Sequence, residues 1–248
     1  MKLIQLLSVF SELNLGETSQ ADVRGLAFDS RKVEKDFVFV AIRGQSGDGH
    51  DFLSDVVKNE PCALIVESVE RIPADYRGAV VKVLDSRAAL EILANRFYGE
   101  PANDMFCVGV TGTNGKTTIC HLIEKVLTDS EIKTGVMGTV NHHLGDKIWD
   151  SEMTTPDPIT FYRRLSEFKS LGAKAVALDV SSHALTQSRV DSVPFDVGVF
   201  TNLTRDHLDY HGTFEEYFSA KERLFSKLLF QSNKPFKFAI INSDDVWG

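Results

Sequence analysis

A continuous apolar segment, Met105 to Val110, runs straight into Thr111-Gly112-Thr113-Asn114-Gly115-Lys116-Thr117-Thr118. The residues that follow repeat apolar side chains at helical spacing through Ile119, Leu122, Ile123 and Val126, predicting a helix over Thr118–Leu127. A buried strand, a glycine loop and a helix in that order constrain the chain to an α/β arrangement, because the helix must pack back onto the sheet that holds the strand. Gly112 and Gly115 let backbone N–H groups point inward at an anion with no Cβ in the way, and the helix turns its positive N-terminal end to the same place. Lys116 can then reach the outer phosphates of a nucleoside triphosphate, and the Thr117 hydroxyl can sit on Mg²⁺. The spacing is that of a short P-loop, Gly-x-x-Gly-Lys-Thr, since position 110, where the longer form has its first glycine, is Val. The strand before it and the helix after it argue against an ordinary glycine-rich turn.

With 248 residues and 43% hydrophobic content, the chain can bury one large core or two modest ones. A net charge of −8 argues against nucleic acid or an acidic membrane as the main partner, so an anionic substrate needs locally placed cations. Cys62, Cys107 and Cys120 sit in apolar or helical segments without Cys-x-x-Cys spacing, as expected for buried reduced thiols in the cytoplasm. The first ten residues are broken by Gln5 and Ser8 and read as an amphipathic helix rather than a leader. No apolar run approaches the ~18 residues of a membrane span, so no membrane insertion is expected.

Strand-like segments Gly25–Phe28, Phe37–Ile42, Ala63–Val66 and Ala79–Val83 alternate with helical patterns at Phe52–Lys58 and Ser86–Tyr98, which predicts a small α/β domain over 1–100 closed by the Gly99-Glu100-Pro101 link. From Met105 a second series begins, with strands Gly135–Val140, Ala175–Val180, Val197–Thr201 and Phe238–Ile241, and helices Thr160–Ser170 and Phe214–Leu229. That order predicts a mostly parallel sheet covered on both faces, a P-loop domain over 101–248. The chain stops within Asn242–Gly248, directly after a strand, so this second domain is expected to be incomplete.

Four groups of residues carry possible chemistry. Asp179 ends the apolar strand Ala175-Val176-Ala177-Leu178, either as an acid presented to Mg²⁺ or as a cap on the strand end. Ser181, Ser182, His183, Gln187 and Arg189 follow on the loop leaving that strand; Arg189 suits an anionic group, or is a solvated surface cation. Thr201-Asn202-Leu203-Thr204-Arg205-Asp206-His207-Leu208-Asp209-Tyr210-His211-Gly212 packs two histidines, two aspartates and an arginine after another strand, with a hard-cation site favoured over zinc. Lys221 fills the gap in the stripe Phe214, Tyr217, Phe218, Leu224, Phe225, Leu228; a buried ammonium must be paired, deprotonated or modified unless its stem snorkels to water.

Taken together, the glycine loop, Asp-Val-Ser-Ser-His-Ala-Leu at 179–185, the 201–212 segment and Ala220-Lys221 resemble the Mur ligases, and Phe28-Asp29-Ser30-Arg31-Lys32-Val33 with Gly47-Asp48-Gly49-His50 resembles that family's uridine-nucleotide-binding segments. The resemblance covers essentially the whole chain. It implies an ATP- and Mg²⁺-dependent ligase of peptidoglycan synthesis. Such an enzyme phosphorylates the carboxylate of a UDP-MurNAc-dipeptide and joins the resulting acyl phosphate to an amino acid, as the third peptide residue. By the same resemblance Gly112, Thr113, Asn114, Gly115, Lys116, Thr117 and Thr118 hold ATP. Thr117, Asp179, His207 and a carbamylated Lys221 serve Mg²⁺, and Lys116, Lys221, His207 and Asp179 serve catalysis. Phe28, Ser30, Gln45, Ser46, Gly47, Thr154, Thr155, Ser181, Gln187 and Arg189 contact the muramyl substrate. The family carries Glu where Asp179 stands, which leaves direct and water-mediated metal contact both open. It also has a third, C-terminal domain, here expected to be absent, which chooses the amino acid, so this chain alone is expected to be inactive and monomeric. Two other readings stand beside this one: a non-catalytic nucleotide-binding module, and a ligase like folylpolyglutamate synthetase.

Overall fold

The computed structural model describes residues 1–10, 16–44 and 47–248; Gln45 and Ser46, two of the expected substrate contacts, lie outside the described residues. The chain divides into two compact units, Met1–Phe97 and Tyr98–Gly248. The division falls slightly before the Gly99-Glu100-Pro101 link, because the 3₁₀ turn Pro101–Asp104 after that link packs on a helix of the second unit.

The first unit contains α1 (Leu3–Leu7), β1 (Gly25–Ala27), β2 (Phe37–Val40), α2 (Leu53–Val56), β3 (Ala63–Val66), β4 (Ala79–Lys82) and α3 (Ser86–Phe97). Its four strands pair in chain order and all in parallel. β3 is buried throughout, as a parallel strand covered on both faces must be, and its sequence is correspondingly apolar at every position. One core cluster joins Phe39, Leu64 and Val66 to Leu53 and Val56 of α2; α3 packs against β2 and β3 and buries Leu90, Leu93 and Ala94. The helix expected over Phe52–Lys58 is a single α-turn between two 3₁₀ turns. Asp48 caps the first by accepting from the His50 N–H, and Glu60, at φ 51°, ends the second.

The second unit contains β5 (Phe106–Thr111), α4 (Lys116–Asp129), β6 (Thr134–Met137), β7 (Asn141–Leu144), β8 (Lys147–Asp150), α5 (Pro158–Ser170), β9 (Ala175–Asp179), α6 (Ser182–Thr186), β10 (Val197–Phe200), α7 (Leu208–His211), α8 (Phe214–Arg223) and β11 (Phe238–Ile241). They form a seven-stranded sheet in the order β11-β10-β5-β9-β6-β7-β8, parallel from β11 to β6 and antiparallel through β7 and β8. The strand expected over Gly135–Val140 therefore ends early, at Met137, and a hairpin follows it. Its alternation, with His142 and Leu144 buried and Asn141 and His143 partly exposed, is hidden in sequence because histidine rather than an aliphatic residue fills the inward position. Gly145, at φ 57°, makes its turn.

α4 begins two residues earlier than its apolar spacing suggests, at Lys116, with Gly115 as its left-handed N-cap. Its buried side runs through Cys120, with Ile119 and Ile123 partly buried, whereas Leu122 and Val126 are exposed. The helix expected over Phe214–Leu229 changes type at Leu224, continuing as π-helix to Leu229. The wider π turn keeps Leu224, Leu228 and Leu229 on one buried side. All three cysteines are free and buried, and burial pushes the Cys107 thiol up to about 12.

Candidate functional site

Because β10, β5 and β9 are adjacent and parallel, the loops after Thr111, Asp179 and Phe200 leave the sheet at the same edge, where open α/β sheets hold their ligands. The glycine loop after β5 is tied down by the segment after β10. The Thr113 N–H donates to the Asn202 carbonyl at 2.8 Å, the Asn114 N–H to Asn202 Oδ1 at 2.9 Å, and Thr201 Oγ1 to the Asn114 carbonyl at 2.7 Å. At Gly112, φ is 145° and a Cβ would lie 2.0 Å from Thr201 Oγ1, so only glycine fits this approach. Lys116 curls over the loop, its Nζ donating to the carbonyls of Thr113 (2.8 Å) and Gly112 (3.1 Å).

Asp179 closes the opposite side. It is buried; its Oδ2 accepts from Thr117 Oγ1 at 2.7 Å and from Thr139 Oγ1 at 3.2 Å, while the equally buried Oδ1 has no hydrogen-bond partner among the described residues. Burial raises the Asp179 pKa, and the Thr117 hydrogen bond and the Lys116 charge oppose that shift. A buried carboxylate oxygen aimed beside a loop threonine and left without a donor is what a cation would satisfy, and two oxygen ligands suit a hard one. The donor set present thus fits Mg²⁺.

Lys221, from α8, reaches the same loop. It is 2% exposed, its Nζ donates to the Gly112 carbonyl at 2.7 Å and lies 4.5 Å from the centre of the Tyr217 ring. Burial lowers its pKa to about 7, helped by the nearby Lys116 charge. Snorkelling is thereby ruled out: the stem points inward.

A second group gathers after β9. Thr155 Oγ1 donates to the Asp179 carbonyl at 2.8 Å and accepts from the Ser181 N–H at 3.1 Å; Ser181 Oγ caps α6. Arg189 donates to the Thr155 carbonyl (2.6 Å) and to Gln187 Oε1 (2.7 Å), and Gln187 Nε2 donates to the Tyr210 hydroxyl (3.1 Å). Thr154 Oγ1 lies at hydrogen-bond distance from Thr139 Oγ1, 3.0 Å. Thr154, Thr155, Ser181, Gln187 and Arg189 are thus brought together around Asp179.

The two histidines of the 201–212 segment, His207 and His211, play different parts. His211 is buried with Nε2 2.9 Å from Ser182 Oγ, and burial lowers its pKa. His207, at φ 51°, precedes α7, is half-exposed and lies 3.5 Å from Asp206; its ring meets that of His183 edge-on at 5.0 Å. Sequence reasoning missed Thr139, which lies in no motif, and the contact of the Tyr217 hydroxyl with Thr113 Oγ1 at 3.1 Å, since Tyr217 read only as part of an apolar stripe.

In the first unit, Phe28, Ser30 and Gly47 line a recess of about 780 Å³ together with Asp29, Arg31 and Arg87. Arg31 donates to both carboxylate oxygens of Asp29, at 2.9 and 2.7 Å, and holds the Asp29 carboxyl down at about 2. His50 fixes the neighbouring turn, with Nδ1 2.6 Å from Asp48 Oδ1 and Nε2 accepting from the Glu67 N–H at 3.0 Å. Arg87, which sequence reasoning did not single out, comes from α3 and is held by the Arg43 carbonyl at 2.9 Å.

A central strand, a glycine loop with its lysine and threonine, and an acidic strand end facing that threonine define a P-loop α/β protein. Residues 110–248, more than half of the chain, match the Mur ligase middle domain, and residues 22–98 match the family described as Mur ligase family, catalytic domain; the chain belongs to the Mur ligase family. Among curated relatives, the UDP-N-acetylmuramoyl-L-alanyl-D-glutamate--2,6-diaminopimelate ligase of Aquifex aeolicus is 45% identical over 91% of this chain and 45% of its own length. The ligase of the same name from Geobacter metallireducens is 42% identical over 100% of this chain and 48% of its own. A solved structure of a ligase of that name superposes with a TM-score of 0.82 at 29% identity, over 99% of this chain and 48% of that one. The chain spans about half the length of the curated relatives it matches. No helix among the described residues is long and apolar enough to cross a membrane.

Proposed function

We propose that this chain carries the nucleotide and muramyl-substrate sites of a cytoplasmic ATP-dependent ligase. That ligase joins an amino acid to UDP-MurNAc-L-Ala-D-Glu through an acyl phosphate, and its relatives' names make 2,6-diaminopimelate the first amino acid to test. The observation that carries this reading is the 2.7 Å hydrogen bond from Thr117 to the buried Asp179, made at the mouth of a glycine loop that Lys221 also reaches.

With the Thr113 and Asn114 N–H groups held by Asn202, the N–H groups of Gly115–Thr118 at the start of α4 are the ones turned to the phosphates, and Lys116 turns from the loop carbonyls to the outer phosphate. Thr117, Asp179, His207 and Lys221 are the residues that would hold Mg²⁺, which when bound neutralises charge on the transferring phosphoryl group. With its pKa lowered to about 7, a substantial share of Lys221 is the free amine at neutral pH. Its nitrogen lone pair can add to CO₂ and release a proton, giving an N-linked carbamate that exchanges a buried cation for an anion. The Arg189 fork, braced by Gln187, is assigned to the anionic peptide end of the substrate, with Thr154, Thr155 and Ser181 positioning it. The recess around Phe28, Ser30, Gly47 and Arg87 is assigned to the uridine nucleotide.

Calorimetry on the chain with ADP and Mg²⁺, then with UDP-MurNAc-dipeptide, and phosphate release by the full-length gene product test the proposal. Binding of both ligands, with phosphate release that requires the dipeptide and rises with 2,6-diaminopimelate, is expected. Binding without any release above background in the full-length product would make this a nucleotide-binding module, and preference for a folate over the muramyl substrate would move it to another ligase branch.

A further inference from the structure

On the outer side of the second unit, α4 and β7 bring two imidazoles and a carboxylate together. His121 and Glu124 are one helical turn apart on α4, and His143 comes from β7. Glu124 Oε2 lies 2.9 Å from His143 Nε2 and 3.6 Å from His121 Nδ1. One ligand atom from each of the three residues falls within 4.8 Å of the other two, and among the described residues theirs is the one group of three histidine, cysteine or acidic side chains that does so. The imidazole rings stack at 5.1 Å, 13° from parallel.

The surroundings of His143 show what such a group can take. Its Nδ1 lies 2.8 Å from Asn141 Oδ1 while its Nε2 faces the Glu124 carboxylate, so both ring nitrogens point at oxygen. With Nδ1 engaged by the Asn141 side chain, Nε2 is the ring nitrogen that faces the Glu124 carboxylate and is placed to share a metal ion with Glu124 and His121. An imidazole whose far N–H is held by a carbonyl oxygen has its tautomer and ring plane set as metal-ligating histidines do. Two imidazoles and one carboxylate with an open side match the ligand chemistry of Zn²⁺ and its first-row neighbours rather than Mg²⁺, which prefers oxygen alone.

We infer that His121, Glu124 and His143 form a binding site for a divalent first-row transition metal, with Zn²⁺ the leading candidate, separate from the glycine-loop site. Small side-chain rotations bring the donors to bonding distance, since each of the three residues is only partly buried. The bound ion ties α4, whose first turn carries Lys116 and Thr117, to the β7–β8 hairpin.

The test uses tag-free chain stripped with chelator and kept in excess Mg²⁺, titrated with Zn²⁺ by calorimetry and with Co²⁺ by visible absorption. Wild type is expected to take up one more Zn²⁺ than His121→Ala, His143→Ala or Glu124→Gln, and to show Co²⁺ bands that these variants lose. Asn141→Ala, which keeps all three ligands, is expected to weaken Zn²⁺ binding about tenfold. Zn²⁺ is expected to raise the melting temperature of wild type and of His207→Ala, and to leave that of His143→Ala unchanged. Equal Zn²⁺ uptake by wild type and the His121 and His143 variants, or Co²⁺ bands that survive both, would overturn the inference. Metal-free melting curves verify that each variant is folded.

Discussion

Lys221 Nζ donates to the Gly112 carbonyl at 2.7 Å across 109 residues of chain, so the amine of α8 and the glycine loop after β5 form one unit of structure. The pairing is costly at neutral pH, because part of the Lys221 population must carry a charge among buried groups. Lys221→Met is therefore expected to raise the melting temperature at pH 7 without bicarbonate while abolishing phosphate release in the full-length product. Short carboxylic acids are expected to restore part of that activity to Lys221→Ala, and bicarbonate to add the mass of CO₂ to wild type alone. A variant both less stable and inactive would point to a purely structural lysine.

The two loop glycines are expected to respond differently. A methyl group at Gly112 meets Thr201 Oγ1 at 2.0 Å and Asn202 backbone atoms at 3.0 and 3.1 Å, whereas one at Gly115 meets nothing within 4 Å and bears only the strain of φ 84°. Gly115→Ala should cost about 1–2 kcal/mol in denaturant unfolding. Gly112→Ala should cost more than that and also remove ADP binding, since the straps from Thr201 and Asn202 hold the cradle.

Asp179→Asn keeps the shape of the acid but removes a buried charge whose Oδ1 has no donor among the described residues. Melting temperature without Mg²⁺ is expected to hold or rise. The Mg²⁺-dependent gain in ADP affinity should fall by about tenfold or more, as expected for loss of a charged ligand. Titrating ADP with and without Mg²⁺ separates the two effects.

His142, on β7, is buried with no hydrogen-bond partner at either ring nitrogen among the described residues, and burial lowers its pKa to about 4 from 6.5. Between those values the unfolded chain binds a proton that the folded chain does not, so folded stability increases as pH rises through this window and is lost as pH falls. The shift corresponds to about 3 kcal/mol. Unfolding with chelator present should show that loss between pH 6.5 and 4 in wild type, with the His142→Leu variant less sensitive. Parallel pH profiles for the two proteins would count against the assignment.

The glycine loop, the acid at the end of β9 and the lysine interrupting an apolar stripe were all legible from residue order, because each is a local pattern: strand then glycine turn, apolar run then carboxylate, i and i+3 or i+4 spacing. The β7–β8 hairpin was not, since His142 occupies an inward position that pattern reading reserves for aliphatic side chains. Nor was the change from α- to π-helix at Leu224, which follows from what the helix packs against.

By itself, then, the sequence determined most of the parallel strands and the longer helices, the glycine loop and the family resemblance, all set by neighbours along the chain. Tertiary structure alone decided the rest: that Thr139 and Thr117 share Asp179, that Tyr217 reaches Thr113, that His211 turns to Ser182 while His207 does not, and that α4 and β7 set His121 and Glu124 beside His143. The physical reason is strand order. β5, β9 and β10 are neighbours in the sheet but lie many residues apart in the chain, and their adjacency follows from how apolar strands and helices bury one another, which no single segment records.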